Sequence, residues 1–80
     1  MTNTEQVVAV LKAAGLVAAI STRRTRRTGF RVRQFTGYEV GISSDDMTAE
    51  QWSAGMSALE AAGFAFTYRS DAGMGARVTR

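Results

Sequence analysis

The sequence predicts an α+β fold in two layers, with both helices on one face of an antiparallel sheet and the order α-β-β-β-α-β-β. Three observations support this prediction. Two segments begin with a capping-box pattern and end at a glycine, as helices commonly do. Other segments alternate large apolar with polar residues, which is the period of a half-buried strand. The length of 80 residues fits a single small domain, 1–80.

The first helix is predicted at residues 4–14. Residues 2–5 (TNTE) have the S/T-x-x-E form of a capping box, which satisfies the free N–H groups at a helix start. Apolar residues then recur at helical spacing. Gly15 is predicted to end the helix in the left-handed conformation, with Leu11 and Leu16 in the closing hydrophobic contact.

A strand is predicted at residues 16–22, and a hairpin follows it. From residue 30 to 42 the large residues all occupy even positions: Phe30, Val32, Tyr38, Val40 and Ile42. One continuous strand of this length would be about 40 Å long, which is too long for a domain of this size. We therefore predict a three-residue loop at 35–37, in which Gly37 supplies a left-handed residue. This loop would give the pairs Gln34–Tyr38, Val32–Val40 and Phe30–Ile42.

The second helix has the strongest local signals. Residues 48–51 (TAEQ) form another capping box, and Met47 is placed to pack against Trp52 across the helix start. Trp52, Met56 and Leu59 predict the buried stripe, and Gly63 is predicted to end the helix. Strands are then predicted at residues 64–69 and 76–79, on either side of a glycine-rich turn.

Composition narrows the classes of function. The chain has no cysteine and no histidine, which excludes disulfides and the usual zinc ligands. Without these groups we expect no enzyme, no metal site and no cofactor. A small core without staples favours self-association, so a homodimer is possible.

A cytoplasmic location is expected from the same features and from the apolar run at residues 7–20. A signal peptide requires a basic residue before its apolar run, and no basic residue precedes this one. The run is also shorter than a membrane span. The absence of cysteine also fits a reducing compartment. We expect no membrane partner.

The distribution of charge is the main functional signal. Residues 23–33 (RRTRRTGFRVR) hold six of the ten basic residues and no acid, whereas the rest of the chain has four bases and seven acids. Such a cluster indicates an anionic partner. Phe35, in the next loop, would add a surface for base stacking. The candidate binding residues are Arg23, Arg24, Arg26, Arg27, Arg31, Arg33 and Phe35.

Three interpretations of this cluster stay open. In the first, the protein is a nucleic-acid-binding accessory protein that makes non-specific phosphate contacts. In the second, it is a protein-interaction module, an inhibitor or adaptor that docks its arginine hairpin on an acidic protein surface. Its size and composition suggest a phage or mobile element in either case. In the third, the arginines form a solvated loop, with Arg33 paired across the strands to Glu39.

Two other groups of residues have simpler explanations. Asp45, Asp46 and Glu50 have a spacing that a metal site could use, but their place at a helix start explains them through capping and the helix dipole. Tyr38 and Tyr68 are typical of amphipathic edge residues and are not expected to contact a ligand.

Overall fold

The computed structural model of the chain describes residues 2–16, 29–44 and 47–80. These residues form two helices and a four-stranded antiparallel sheet, which confirms the predicted α+β class. The elements are α1 (Asn3–Ala13), β1 (Phe30–Gln34), β2 (Val40–Ser44), α2 (Ala49–Ala61), β3 (Ala65–Ser70) and β4 (Gly75–Thr79). The strand predicted at residues 16–22 lies outside the described residues, apart from Leu16 at the end of the turn after α1.

Both helices are capped at their start by the threonine of the predicted capping box, Thr2 for α1 and Thr48 for α2. At the start of α2, Thr48 Oγ1 accepts from the Gln51 amide at 3.1 Å and Gln51 Oε1 accepts from the Thr48 amide at 3.0 Å, so the capping box is complete. At the start of α1, Thr2 Oγ1 accepts from the Glu5 amide at 3.1 Å and donates to the Glu5 carboxylate at 3.0 Å. The threonine half of that predicted box is therefore present.

Both helices end in the same glycine motif. Gly15 has a φ of +88°, and the amide of Leu16 donates to the carbonyl of Leu11 at 3.1 Å. Gly63 has a φ of +95°, and the amide of Phe64 donates to the carbonyl of Leu59 at 3.0 Å. The left-handed glycine and the bond across it define a Schellman end, as the sequence predicted for both helices.

One buried cluster joins the helices to the sheet. The predicted stripe of Trp52, Met56 and Leu59 is buried, and Met47 is buried with it. The sheet contributes residues from alternate positions, as the period of a strand requires. The members of the cluster are Val7, Leu11, Phe30, Val40, Ile42, Met47, Trp52, Met56, Leu59, Phe64, Ala76 and Val78.

The last strand of the chain lies inside the sheet. The strand order is β1-β2-β4-β3, so β4 pairs with β2 on one side and with β3 on the other, and all the pairs are antiparallel. This order places β1 and β4 on opposite sides of β2, although 40 residues of sequence lie between Gln34 at the end of β1 and Gly75 at the start of β4.

The predicted register of the β1–β2 hairpin was wrong by two residues. Val32 pairs with Ile42 and Phe30 with Ser44, whereas the predicted partners were Val40 and Ile42. The loop therefore spans residues 35–39. Even positions still share the buried face, because a shift of two residues leaves every side chain on its own side of the sheet.

Side-chain hydrogen bonds in the loop explain this register. Thr36 Oγ1 accepts from the amide of Glu39 at 3.0 Å, and the amide of Phe35 donates to the Glu39 carbonyl at 2.9 Å. Gln34 Nε2 donates to the same carbonyl at 3.2 Å. Thr36 thus closes a wider turn through its hydroxyl. The expectation that Gly37 takes the left-handed conformation was wrong, because its φ is not positive.

Candidate functional site

The face of the sheet opposite the buried cluster, which we call the exposed face, carries a row of residues that crosses all four strands. Backbone pairing aligns Arg33 of β1 with Gly41 of β2, Gly41 with Arg77 of β4, and Arg77 with Tyr68 of β3. Two arginines and a tyrosine therefore lie in one line, and the glycine between the arginines leaves space above the backbone.

Tyr68 belongs to this row because β3 contains a bulge. Phe66 pairs with Val78, and the next pair is Tyr68 with Arg77, so Thr67 is an extra residue on β3. Regular alternation would put Phe66 and Tyr68 on the same face of the strand. The bulge instead turns Tyr68 towards Arg77. The Tyr68 side chain is 47% exposed.

Arg77 lies between two aromatic rings. Its guanidinium carbon is 4.4 Å from the ring centroid of Phe35 and 4.8 Å from that of Tyr68. Both distances are within the range of cation–π contacts. Phe35 is 48% exposed, so each ring retains surface that solvent or a ligand can reach. The guanidinium group and the two rings form one cluster of flat groups on the exposed face.

The row borders an open depression of about 210 Å³. Small residues from the two central strands contribute to its lining: Gly41, Ser43 and Gly75. Larger side chains line it as well: Arg33, Phe35, Tyr68 and Arg77. The depression exists because the central strands have small residues here while the neighbouring positions have long ones.

The charge at this depression is positive. Where both partners are described residues, the ion pairs are those of Arg69, which lies 3.6 Å from Glu60 and 2.8 Å from Asp71. Arg33 and Arg77 have no carboxylate partner within the part of the chain that the structure describes. Their guanidinium groups therefore retain their hydrogen-bond donors for a ligand.

Glu39 is the acidic residue that lies nearest in sequence to Arg33, Phe35 and Gly41. Its carboxylate accepts from the Thr67 hydroxyl at 2.6 Å and from the Thr36 hydroxyl at 3.4 Å. The cross-strand pair of Arg33 with Glu39, which belonged to the solvated-loop interpretation, is absent, because the register places Gly41 opposite Arg33. The hydroxyl partners hold the carboxylate without neutralising it.

Arg69 and Asp71 form a separate, neutral pair. The hydrogen bond from Arg69 lowers the pKa of the Asp71 carboxyl below its ordinary value, and a second hydrogen bond from Trp52 acts in the same direction. The bond to Asp71 correspondingly raises the pKa of Arg69. This pair fixes the turn between β3 and β4 to α2 and is not part of the positive surface.

The residues predicted as binding residues fall into two groups. Arg23, Arg24, Arg26 and Arg27 lie outside the described residues. Arg31 and Arg33 are exposed on β1, and Phe35 is exposed directly after it. The described part of the predicted site therefore brings Arg33 and Phe35 to one depression.

Two residues of the depression, Arg77 and Tyr68, were not predicted as binding residues. The alternation of residues 76–79 already places Arg77 on the side opposite the buried Ala76 and Val78. That signal says which face Arg77 occupies but not which strands lie beside it. Tyr68 is on an edge strand, as expected, but its contact with Arg77 depends on the bulge.

Of the three acidic residues considered at the start of α2, one lies among the described residues. Asp45 and Asp46 lie outside the described residues, and Glu50 is exposed in the first turn of α2. Among residues 2–16, 29–44 and 47–80, histidine, cysteine and carboxylate side chains form no group that could hold a metal ion.

Neither described helix is long and apolar enough to cross a membrane. A comparison of the chain with protein-family models, with curated proteins and with solved structures finds no match.

Proposed function

We propose that this protein binds nucleic acid through the exposed face of its sheet and through the arginine-rich segment that leads into β1. The observation that carries this proposal is the cluster of Arg33, Arg77, Phe35 and Tyr68, where arginines without carboxylate partners lie beside exposed aromatic rings. Arginines bind phosphate and aromatic rings stack on bases, so this combination suits a nucleic acid better than a simple anion.

We infer that both helices cover the opposite face and leave this one open. Val7 and Leu11 of α1 share the buried cluster with Trp52 and Met56 of α2 and with the inward residues of the sheet. In addition, α1 contacts β1, β2 and α2. A two-layer arrangement of this kind gives the sheet one face for the core and one for a ligand.

The arginine segment extends the same surface in the proposal. Arg23, Arg24, Arg26 and Arg27 precede the strand that carries Arg31 and Arg33, and only two residues separate Arg27 from Phe30. Phosphate contacts position a protein on a nucleic acid without reading its bases. We therefore expect weak sequence specificity and a strong dependence on salt.

A salt series of fluorescence-anisotropy binding tests the proposal. Four phosphate contacts by Arg23, Arg24, Arg26 and Arg27 correspond to a log–log slope of about −3.6 on duplex DNA, because each contact contributes about −0.9. Changing all four to serine should remove this contribution. Contacts by Arg33 and Arg77 would add up to about −1.8 to the slope, and the pair Arg33→Gln and Arg77→Gln should remove that part.

A matched control removes two positive charges elsewhere. Lys12 is exposed on α1 and Arg80 is exposed at the end of the described chain. Lys12→Gln with Arg80→Gln changes net charge as much as Arg33→Gln with Arg77→Gln, but should leave the slope unchanged. If both pairs weaken binding equally, net charge rather than the exposed face is responsible.

Glu39→Gln gives a test of opposite sign. Glutamine keeps an oxygen that can accept from Thr67 but removes the negative charge beside the proposed phosphate path. We expect tighter binding to nucleic acid. An acidic protein partner would also bind more tightly after this change, so Glu39→Gln alone does not separate the two candidates. The wild-type protein separates them, because a protein that uses this surface only for an acidic protein would bind no oligonucleotide even at low salt.

The remaining parts of the proposal concern setting and assembly. A cytoplasmic accessory protein, of phage or mobile-element origin, fits a chain that has no cysteine and one basic segment. A homodimer is a prediction from the small size of the core. Sedimentation equilibrium with and without oligonucleotide tests it, since a single species of monomer mass would contradict it.

A further inference from the structure

We propose that the depression on the exposed face receives an unpaired nucleobase, so that the protein prefers single-stranded nucleic acid to duplex. This inference rests on the proposed nucleic-acid function and names the form of nucleic acid that the surface recognises. Its basis is the position of Phe35, Arg77 and Tyr68 around one shallow opening.

The size and shape of the depression suit a single planar group. Its volume is about 210 Å³. Pockets that enclose drug-sized ligands are larger, at about 300–1,000 Å³. The small residues Gly41, Ser43 and Gly75 help to line it. A flat ring can therefore approach the sheet between the larger side chains that line the depression.

The lining offers stacking surfaces that only an unpaired base can use. Phe35 and Tyr68 are each about half exposed, so each ring keeps surface beyond its contact with the Arg77 guanidinium on which a base can stack. In a duplex each base already has neighbours on both of its faces. Stacking on these residues therefore requires a base that is free of the helix.

Charge complementarity adds the backbone of the strand. Arg33 and Arg77 are two places apart in the cross-strand row, with Gly41 between them. A base in the depression would lie beside both arginines, because Arg33 and Arg77 line it. Phosphates that flank such a base are then within reach of the two guanidinium groups, which supplies charge-assisted hydrogen bonds.

Gly41→Val is the most direct test because it fills the depression and keeps every arginine and aromatic ring. A Cβ at Gly41 would lie 3.7 Å from the Arg33 carbonyl oxygen, 3.8 Å from Arg33 Cγ and 3.9 Å from Phe35 Cβ, which are ordinary contacts. Valine also favours strands. Its two methyl groups extend beyond the Cβ, so far-UV circular dichroism and Trp52 fluorescence check that the variant folds.

Phe35→Leu with Tyr68→Leu is the second variant. Leucine keeps an apolar side chain at both positions and removes the flat rings. We expect Gly41→Val and the double variant each to weaken binding to a short single strand by about 5- to 150-fold, the range for loss of one stacked base. Binding to duplex of the same length should not change.

An oligonucleotide of abasic sites separates bases from phosphates. It has the phosphates of the single strand but no bases to stack, so it should bind wild type as weakly as the intact strand binds Gly41→Val. Equal affinity of wild type for intact and abasic strands would overturn the inference. Unchanged single-strand affinity in both folded variants would do the same.

The outcomes also separate this inference from the broader proposal. Wild type that binds duplex, intact strand and abasic strand alike, with a steep salt dependence, leaves nucleic-acid binding in place and rules out the base site. Wild type that binds none of the three at low salt rules out both. Preference for the intact single strand, lost in the two variants, supports both.

Discussion

The guanidinium carbon of Arg77 lies 4.4 Å from the ring centroid of Phe35, and this contact joins two strands that are not neighbours in the sheet. Phe35 directly follows β1, Arg77 belongs to β4, and β2 lies between them. The contact passes over β2 at Gly41, which pairs with both Arg33 and Arg77. Gly41 has no side chain between them, which leaves room for the depression beside this contact.

We first predict an energetic coupling between Phe35 and Arg77. A double-mutant cycle with Phe35→Leu and Arg77→Met, measured by urea unfolding and Trp52 fluorescence, should give about 0.5–1 kcal/mol, as expected of an exposed cation–π contact. The cycle of Phe35→Leu with Arg80→Met is the control. It should be additive within about 0.3–0.5 kcal/mol. A coupling no larger than this control would mean that the ring and the guanidinium do not interact in solution.

The second prediction concerns acid and the turn between β3 and β4. Asp71 Oδ1 accepts from Trp52 Nε1 at 3.0 Å and from Arg69 Nε at 2.8 Å, and these bonds lower the pKa of its carboxyl. Because the folded pKa is below the unfolded value of about 3.9, the ionised carboxylate stabilises the fold above that pH. The stabilisation is lost as the pH falls through the folded pKa.

Asp71→Asn should therefore flatten the acid side of the stability profile. Asparagine can still accept from Trp52 through its side-chain oxygen but does not ionise. Between about pH 5 and about pH 2, the urea midpoint of wild type should fall further than that of the variant. Midpoints that fall in parallel would show that Asp71 does not contribute to the acid sensitivity.

The third prediction separates two glycines that look alike in sequence. Gly63 has a φ of +95° at the end of α2, where alanine is strained, so Gly63→Ala should lower the free energy of unfolding by about 1–2 kcal/mol. Gly37 has no positive φ, and a Cβ there would meet nothing within 4 Å. Gly37→Ala should be neutral or stabilising by up to about 1 kcal/mol. Equal losses in the two variants, measured by urea unfolding, would contradict this assignment of the loop.

The fourth prediction concerns the contact of the two helices. A Cβ at Gly55 would lie 2.7 Å from Leu16 Cδ1 and 3.1 Å from Leu11 Cδ2, so α2 lies close here to the last turn of α1 and to the residue after its closing glycine. In wild type, the gain in helix propensity from Gly55→Ala, about 1 kcal/mol, is opposed by crowding. In a Leu16→Ala background the nearest atom is gone, and Gly55→Ala should then stabilise the protein. The same effect of Gly55→Ala in both backgrounds would argue against crowding at Leu16.

The helices could be predicted from sequence because their ends are local. The threonines at positions 2 and 48 and the glycines at 15 and 63 act on backbone groups within a few residues. The hairpin register was less accessible. A shift of two residues keeps the same buried face, so apolar alternation does not distinguish the two registers. The bonds of Thr36 and Gln34 within the loop decide between them.

Only the part of the candidate site that lies on β1 and directly after it was predictable from the sequence. Arg31, Arg33 and Phe35 stand out because they follow the basic cluster directly. The meeting of Arg77 with Phe35 depends on the order β1-β2-β4-β3, and its meeting with Tyr68 depends on a bulge. Strand order and bulges arise from contacts between distant segments, which periodicity within a segment does not contain.

A two-dimensional ¹H–¹⁵N NMR titration of the full chain with a short single-stranded oligonucleotide tests the proposed binding surface most directly. We predict the largest amide shifts along the cross-strand row, at Arg33, Gly41, Tyr68 and Arg77, with little change at the buried residues Met56 and Leu59 of α2. Shifts confined to α2, or no shifts at low salt, would contradict a nucleic-acid site on the exposed face.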